Sequence, residues 1–507
     1  MGYGQPPARR IANESILPES LRRPALGPLR ASARNPRYFA DGNGNVVYLT
    51  GSHTWNNLQD WGASNPPPRL DYPKYLAFLG AHGHNFFRLF SWEQASWVPW
   101  TSEMTWFAPT LYLRTGPGDA IDGQPRFNLQ KWNPQYFQRL RERVEEAARR
   151  EIYVAVMLFN GWSVGGKRMA LRGVTRYRGR GDPWKGPPLN RSNNVNGVDG
   201  GNSGEGVDVH SLRNPAVVEL QKAYVRKVID TVGDLDNVLW EISNESNPSS
   251  TAWQYEMIRF VKQVEATRPK HHPVGMTAQF PDGRNEDLFH SPADWISPAS
   301  PHSSGYATDP PLALGDKVVV SDTDHIWGLG GSVDWVWKTF TRGINTLFMD
   351  PYEADVTGFY PRYGHRAGSS RQGEQREQLA WEAIRRSLGY THRYARLLNL
   401  AVMVPRADLA STGYCLADPG LQYLVYLPEK QRRRKNQLLP IPSNWFPETV
   451  QVNLSTGSGK LQFDWFHPAS GQTVAMGSVD GGGHRTFATP IRGGGLVLYI
   501  HGGSITR

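Results

Sequence analysis

The sequence predicts an α/β fold, a (β/α)8 TIM barrel followed by a smaller all-β sandwich, and three observations carry that prediction. Over the first four hundred residues short β-rich apolar runs alternate with amphipathic helical stretches, the pattern of a parallel sheet wrapped by helices. The strand candidates number eight, and most turn polar at their last residues, as strands do when their bodies fill a barrel and their carboxyl ends face a ligand. After Pro405 the texture changes to short alternating runs separated by Gly, Pro and Ser. At 507 residues the chain is too long for one small module and suits a large barrel with an accessory domain.

Residues 1–35 read as an N-terminal extension, 36–405 as the barrel and 406–507 as the sandwich. The strand candidates are 46–55, 85–92, 152–162, 237–246, 272–280, 294–302, 317–325 and 344–352. Between them, Asn133-Pro134 and Asn214-Pro215 each pair an N-cap residue with Pro at the first helical position. Tyr136, Phe137, Leu140, Val144, Ala147 and Ala148 then mark one helical face, and a closing helix runs from Glu374 to Asn399. In the sandwich the β runs are 423–428, 449–455, 460–468 and 495–501. Residues 163–206 are too many for an ordinary connection and read as a functional loop over the barrel mouth or a partly mobile segment.

Composition limits what such a protein can be. Hydrophobic residues make up 39% and aromatic residues 11%, with 18 Trp, which supplies a large core and excludes disorder of the whole. No apolar run approaches the length of a membrane span, and the mean hydropathy is −0.53, so no membrane partner is expected. Cys415 is the one cysteine, so no intrachain disulfide forms and the redox compartment stays open. The N-terminal MGYGQPPARRIANES has no apolar core of an export signal; secretion or a periplasmic location with that signal removed stays open. The net charge of +10 is local: residues 163–206 carry +5 and Arg432 to Lys435 carry +4, without any nucleic-acid-binding motif beside them. A nucleic-acid partner is therefore not expected, and oligomeric state is not legible.

The residues able to carry chemistry lie at strand ends. Asn237-Val238-Leu239-Trp240-Glu241-Ile242-Ser243-Asn244-Glu245 is an apolar strand closing on Asn-Glu, which sets a carboxyl at the barrel top with an amide beside it. A carboxyl in a partly apolar, aromatic setting keeps its proton and can act as a general acid, and the amide can hold a hydroxyl. The bland alternative is that Glu245 caps a helix or pairs with an Arg. In Lys317-Val318-Val319-Val320-Ser321-Asp322-Thr323-Asp324-His325, period-two alternation puts Asp322 and Asp324 on one face, and Asp322 directly follows the apolar run. His53, His302 and His325 follow apolar runs as hydroxyl or carboxylate partners, or as structural histidines. Trp55, Trp92, Trp97, Trp100, Trp162, Trp184 and Trp327 follow strands as well; indole faces suit the C–H faces of sugar rings, and core packing is the alternative for any one of them. No tight ligand motif such as His-Glu-x-x-His is present, so neither a metal nor another cofactor is expected.

On these residues the chain resembles the clan-A retaining glycoside hydrolases. Asn214 through Asn244-Glu245 is similar to their helix and fourth strand, and Arg88 in Asn85-Phe86-Phe87-Arg88-Leu89 to the arginine ending their second strand. Tyr423-Leu424-Val425-Tyr426-Leu427-Pro428, Trp465-Phe466 and Gly481-Gly482-Gly483 resemble the small β-domain often attached to such barrels. The resemblance implies a carbohydrate substrate and cleavage of glycosidic bonds. Glu245 would be the acid/base and Asp322, favoured over Asp324 by its place directly after the apolar run, the nucleophile of a retaining reaction, with Arg88 and Asn244 holding the nucleophile and a sugar hydroxyl. Family members usually carry Glu on strand seven, whereas Asp322 and Asp324 stand here, one methylene shorter. Retention needs carboxyls about 5–5.5 Å apart and inversion about 6.5–9.5 Å, so an inverting hydrolase, or a carbohydrate-binding protein on a barrel that lost its nucleophile, stays as the alternative.

Overall fold

The computed structural model describes residue 16 and residues 26–164, 181–201, 206–301, 305–352, 371–429, 448–492 and 495–502. Eight parallel strands form the central sheet: β1 (Thr50–His53), β2 (Phe86–Leu89), β3 (Tyr153–Asn160), β4 (Val238–Asn244), β5 (Val274–Thr277), β6 (Trp295–Ser297), β7 (Val318–Asp322) and β8 (Asn345–Met349). Each lies within one of the eight segments expected from sequence. Parallel pairing runs in chain order from β2 to β8 and returns from β8 to β1, with Met349 opposite His53. The remaining seam, between β1 and β2, is closed by Asn85. Its backbone N–H donates to the Thr50 carbonyl at 3.0 Å, its side-chain oxygen accepts from the Thr50 N–H at 2.9 Å, and its amide nitrogen donates to the Tyr48 carbonyl at 2.8 Å. Gly51 sits where the strands come closest, since a Cβ there would lie 2.1 Å from the Phe86 carbonyl oxygen.

Helices α1 (Tyr72–Ala81), α2 (Pro134–Ala148), α3 (Pro215–Val232), α4 (Thr251–Glu265), α5 (Asn285–Phe289), α6 (Val333–Thr341) and α7 (Arg371–Leu397) lie along the barrel chain. The expected caps form: Asn133 accepts from Gln135 N–H and Asn214 from Ala216 and Val217 N–H, with Pro following each. Residues alternate along the strands. Trp240 and Ile242 join the outer layer with the helices, while Leu239 packs inward with Phe86, Val318, Val320 and Leu347. A three-stranded sheet of Arg30–Ala31, Phe39–Ala40 and Val46–Val47 brings Phe39 and Val47, with nearby Leu29, into this inner cluster at the foot of the barrel. A boundary at residue 36 therefore passes through a small sheet rather than between units.

Two further strand pairs carry no clear alternation in the sequence. A hairpin of Tyr112–Asp119 and Pro125–Trp132 follows β2, and strands Asp60–Gly62 and Trp106–Ala108 pair beside it. Their Gly and Pro content and two register shifts blur the alternation. Beyond α7 an antiparallel sheet orders Val404–Pro405, Cys415–Asp418, Gln422–Leu427, Leu496–Gly502, Lys460–His467 and Gln472–Asp480. A second sheet pairs Thr449–Asn453 with His484–Ala488. The two enclose Val425, Val450, Val452, Leu461, Trp465, Phe487 and Leu498, so the all-β part is a sandwich of unequal sheets. The outer face of the larger sheet packs Leu424, Tyr426, Phe466 and Tyr499 on Trp337 and Phe340 of α6 and Tyr390 and Tyr394 of α7, joining sandwich and barrel through a shared aromatic core.

The basic cluster at 432–435 and residues 165–180 and 202–205 of the long connection lie outside the described residues. The part from 181 to 201 is tightly bonded. Asn193 donates to the Lys185 and Pro187 carbonyls at 2.7 and 2.9 Å, Asn194 donates to those of Pro188 and Val198 at 2.9 Å, and Trp184 is buried beneath them.

Asn85→Ala leaves the Thr50 N–H and the Tyr48 carbonyl without their seam partners, at about 1–3 kcal/mol for each buried group so orphaned. The expected result is a loss of roughly 2–4 kcal/mol in urea unfolding followed by far-UV dichroism; an unchanged midpoint would show that the seam is held by other contacts.

Candidate active site

Inward alternation continues up the strands from the apolar foot into a charged layer. Phe86 is followed on the same face by Arg88, Leu239 by Glu241, and Val320 by Asp322. The Arg88 guanidinium is 1% exposed and bonds four groups. It meets Glu241 through two parallel bonds of 2.8 and 2.5 Å, Asp322 at 2.9 Å, Asp324 at 3.2 Å, and the Asn244 side-chain oxygen at 2.6 Å. Burial alone would pull Arg88 toward neutrality; Glu241 and the two Asp residues overcome it and hold the cation.

Three carboxyls thus share one cation, and geometry sorts them. Asp322 is fully buried. Its Oδ1 accepts the Asp324 N–H at 2.9 Å, and His53 Nε2 lies 3.0 Å from its Oδ2. Burial would raise its pKa, but His53 and Arg88 outweigh burial and hold it well below the usual carboxylate range. The face shared by Asp322 and Asp324 in the sequence reading is not kept. β7 ends at Asp322, and the chain turns into a 3-10 helix at Thr323–His325, capped by the Asp322 side chain. That turn swings Asp324 out to the cavity while Asp322 stays inside. Asp324 is pushed up to about 6 by burial first and then by the Asp322 charge.

The cavity, about 260 Å³, is lined by Trp55, Phe90, Trp92, Trp100, Trp162, Phe280, Ile326, Trp327 and Gly328, with Asn244, Glu245, Asp324 and His325 as its polar residues. Glu245 leaves β4 in the left-handed region, φ +48°, and is 8% exposed. Trp162 Nε1 donates to its Oε2. Burial, and next the Asp324 charge, raise the Glu245 pKa well above the usual range despite that bond. His325 is lowered to about 3 by burial and then by Arg88, so it is neutral at ordinary pH. The Asn244 oxygen 3.3 Å from its Nε2 can only accept, which leaves Nδ1 to accept from the Ser297 hydroxyl at 2.8 Å.

Of the residues singled out from sequence, Trp55, Trp92, Trp100, Trp162, Asn244, Glu245, Asp324, His325 and Trp327 meet at this cavity. Arg88, His53 and Asp322 lie beneath it as an ion network, and His53 stacks on Phe90 at 5.3 Å instead of facing the opening. His325 bonds Asn244 and Ser297 rather than either Asp. Trp184 belongs to a separate cluster with Leu189 and Val209, and Trp97 lies beside Lys185, so neither lines the mouth. His302 is outside the described residues. Glu241, Phe90 and Phe280 were not singled out. The legible signal for Glu241 was an acidic residue in the inward register of an apolar strand, which demands a buried cation such as Arg88. Among the described residues no group of three or more His, Cys, Asp or Glu side chains could hold a metal ion, and no helix is long and apolar enough to cross a membrane.

Stability should carry the signature of these carboxyls. Asp324 titrates near 6 in the folded chain against an ordinary 3.8, and Glu245 is raised too, so the folded state binds protons more tightly and gains stability as the pH falls from about 7.5 toward 4.5. Asp322 has the opposite sign: its contribution is present above about 4 and is lost as the pH falls below that. Denaturant unfolding of wild type and Asp324→Asn at the two pH values is expected to show a smaller gain on acidification in the variant. Equal gains would remove Asp324 from the set of raised groups.

Neither a protein-family model nor a curated protein matches the chain. Solved structures do. One described as a glycoside hydrolase is 14% identical with a TM-score of 0.54, covering 97% of this chain and 99% of its own. A glycoside hydrolase family 5 structure from Bacteroides vulgatus ATCC 8482 is also 14% identical at a TM-score of 0.54, covering 94% and 93%. At that identity the likeness is one of fold, and it extends over barrel and β sandwich together, the architecture expected from the sequence.

Proposed function

We propose that the chain is a glycoside hydrolase in which Glu245 is the acid/base and Asp324 the second carboxylate. The observation that carries this is a pair of acidic side chains at one aromatic-walled cavity, one raised well above the usual range and the other titrating near 6. Pushing two carboxyls to different protonation states in one pocket is what acid-assisted cleavage of an acetal requires. The solved structures of like fold described as glycoside hydrolases support the same reading.

In the first step the protonated Glu245 gives its proton to the leaving oxygen while ionised Asp324 attacks the anomeric carbon. The carbon–oxygen bond breaks, and the sugar is held as an ester on Asp324. In the second step Glu245, now a carboxylate, takes a proton from water, whose oxygen displaces Asp324 and releases the sugar with its configuration retained. Asp322, although it directly follows the apolar run, has Arg88, His53 and a backbone N–H on its oxygens. Its role in this reading is to keep Arg88 and the strand-seven turn in place. Trp55, Trp92, Trp100, Trp162 and Trp327 offer indole faces to the sugar rings, and the Asn244 amide, its oxygen held by Arg88 and His325, hydrogen-bonds a sugar hydroxyl through its nitrogen.

Glu245→Gln is expected to lower kcat about 10²–10⁴-fold on a glycan the wild type hydrolyses, with the fold intact by circular dichroism. Asp324→Gly should recover turnover with azide and yield a glycosyl azide, whereas Asp322→Gly should not. Rescue of Asp322→Gly alone would exchange the two roles, and inverted product from the wild type would make Asp324 a base toward water. The wild-type profile should rise with pH through about 6, as Asp324 ionises, and fall again as Glu245 loses its proton. A profile flat across that range would contradict the assignment.

A further inference from the structure

A side chain bearing a Cβ disfavours the left-handed conformation in which Glu245 is held, so surrounding contacts must impose it. Two lines of hydrogen bonds start at Glu93, on the loop after β2, one ending on the Glu245 carboxyl and the other on the hydroxyls of Ser246 and Ser243, which flank its turn. Glu93 Oε1 accepts the Asn160 N–H at 2.8 Å and lies 2.9 Å from His210 Nε2. Along the first line Asn160, the last residue of β3, accepts the Trp162 N–H on its side-chain oxygen at 3.1 Å, and the Trp162 indole donates to the Glu245 carboxyl.

Along the second line His210 Nδ1 lies 2.8 Å from the Ser246 hydroxyl, which lies 2.5 Å from that of Ser243. A carboxylate at Nε2 fixes that nitrogen as the donor, so in the neutral ring Nδ1 accepts from Ser246 and Ser246 accepts from Ser243. The His210 ring is stacked on Trp253 at 4.5 Å and 12° and cannot turn freely. Between the two lines Gly161 lies flat against the turn: a Cβ there would stand 2.3 Å from the Glu245 carbonyl oxygen and 2.6 Å from the Ser246 Cα. Glu93 is itself tied down by its N–H, which donates to the Ser163 hydroxyl at 3.0 Å.

We propose that Glu93, acting with His210, is a positioning residue for Glu245. It anchors the strand-three turn that aims the Trp162 indole at the carboxyl, and it anchors the Ser246 hydroxyl behind the strained backbone. One half-buried acceptor thus sets both the side chain and the main chain of the acid/base. The inference rests on the reading of Glu245 given above, and Glu93 does not itself line the cavity.

The test compares Glu93→Ala with Glu93→Gln, because glutamine keeps an oxygen acceptor for both the Asn160 N–H and His210 Nε2–H. In protein carrying ¹⁵N-labelled indoles, the Trp162 resonance is identified by its loss in Trp162→Phe. Glu93→Ala is expected to move that resonance to where Glu245→Ala puts it, and Glu93→Gln to leave it at the wild-type position. On a glycoside with a sugar leaving group, kcat of Glu93→Ala should fall about 10²-fold with little change in KM, and far less on the nitrophenyl analogue, whose leaving group needs no proton. A folded Glu93→Ala protein with the Trp162 resonance unmoved, or with equal losses on both substrates, overturns the proposal. A resonance that moves as expected in a protein that cleaves no glycoside upholds the positioning and refutes the hydrolase reading instead.

Discussion

The Arg88 guanidinium, closed off from water inside the barrel, is the constraint around which the site is arranged. A buried cation is tolerated only when its five N–H groups are met by acceptors, and here Glu241, Asp322, Asp324 and Asn244 from β4 and the end of β7 meet them. Those bonds span the barrel from β2, so the ion network also ties together strands that are not neighbours in the sheet. Removing Arg88 would leave Glu241 and Asp322 as buried charges without their cation.

One cation cannot satisfy every carboxyl in reach, and that shortage sorts the carboxyls by their affinity for a proton. Glu241 takes two of its bonds side by side, Asp322 is further stabilised by His53, and Asp324 receives only a longer contact. Burial first and then the charge of Asp322 raise Asp324, and burial first and then the charge of Asp324 raise Glu245. Aromatic walls sharpen the gradient by withholding water, since Trp55, Trp92 and Trp100 are nearly buried and Trp61 packs beneath them. The resulting order, ionised within and protonated toward the cavity, follows from depth in the barrel as much as from residue type.

Much of this was legible in the sequence because it depends on local patterning. Eight apolar runs with polar ends give the strands, Asn-Pro pairs give two helix starts, and Asn244-Glu245 at the fourth strand end marks the cavity's raised carboxyl. What was not legible depends on contacts between distant segments or on a break in local regularity. Alternation extended past β7 places Asp322 and Asp324 together, but the strand stops at Asp322 and the next turn is a 3-10 helix, which separates them. The tryptophans following strands divide between the cavity and a second cluster under Asn193 and Asn194, a division set by side-chain bonds to backbone carbonyls that no periodicity announces. Glu93 and His210 are 117 positions apart and meet because they follow β2 and β3, which are neighbours in the sheet.

The central claim is that depth along the barrel holds Asp322 ionised and Glu245 protonated in the same site. Infrared difference spectra of the protein at about pH 7 read this directly, because a protonated carboxyl has a carbonyl stretch that a carboxylate lacks. The account predicts a protonated-carboxyl band in the wild type that disappears in Glu245→Gln and persists in Asp322→Asn. A band that survives Glu245→Gln, or one that vanishes with Asp322→Asn alone, would contradict it.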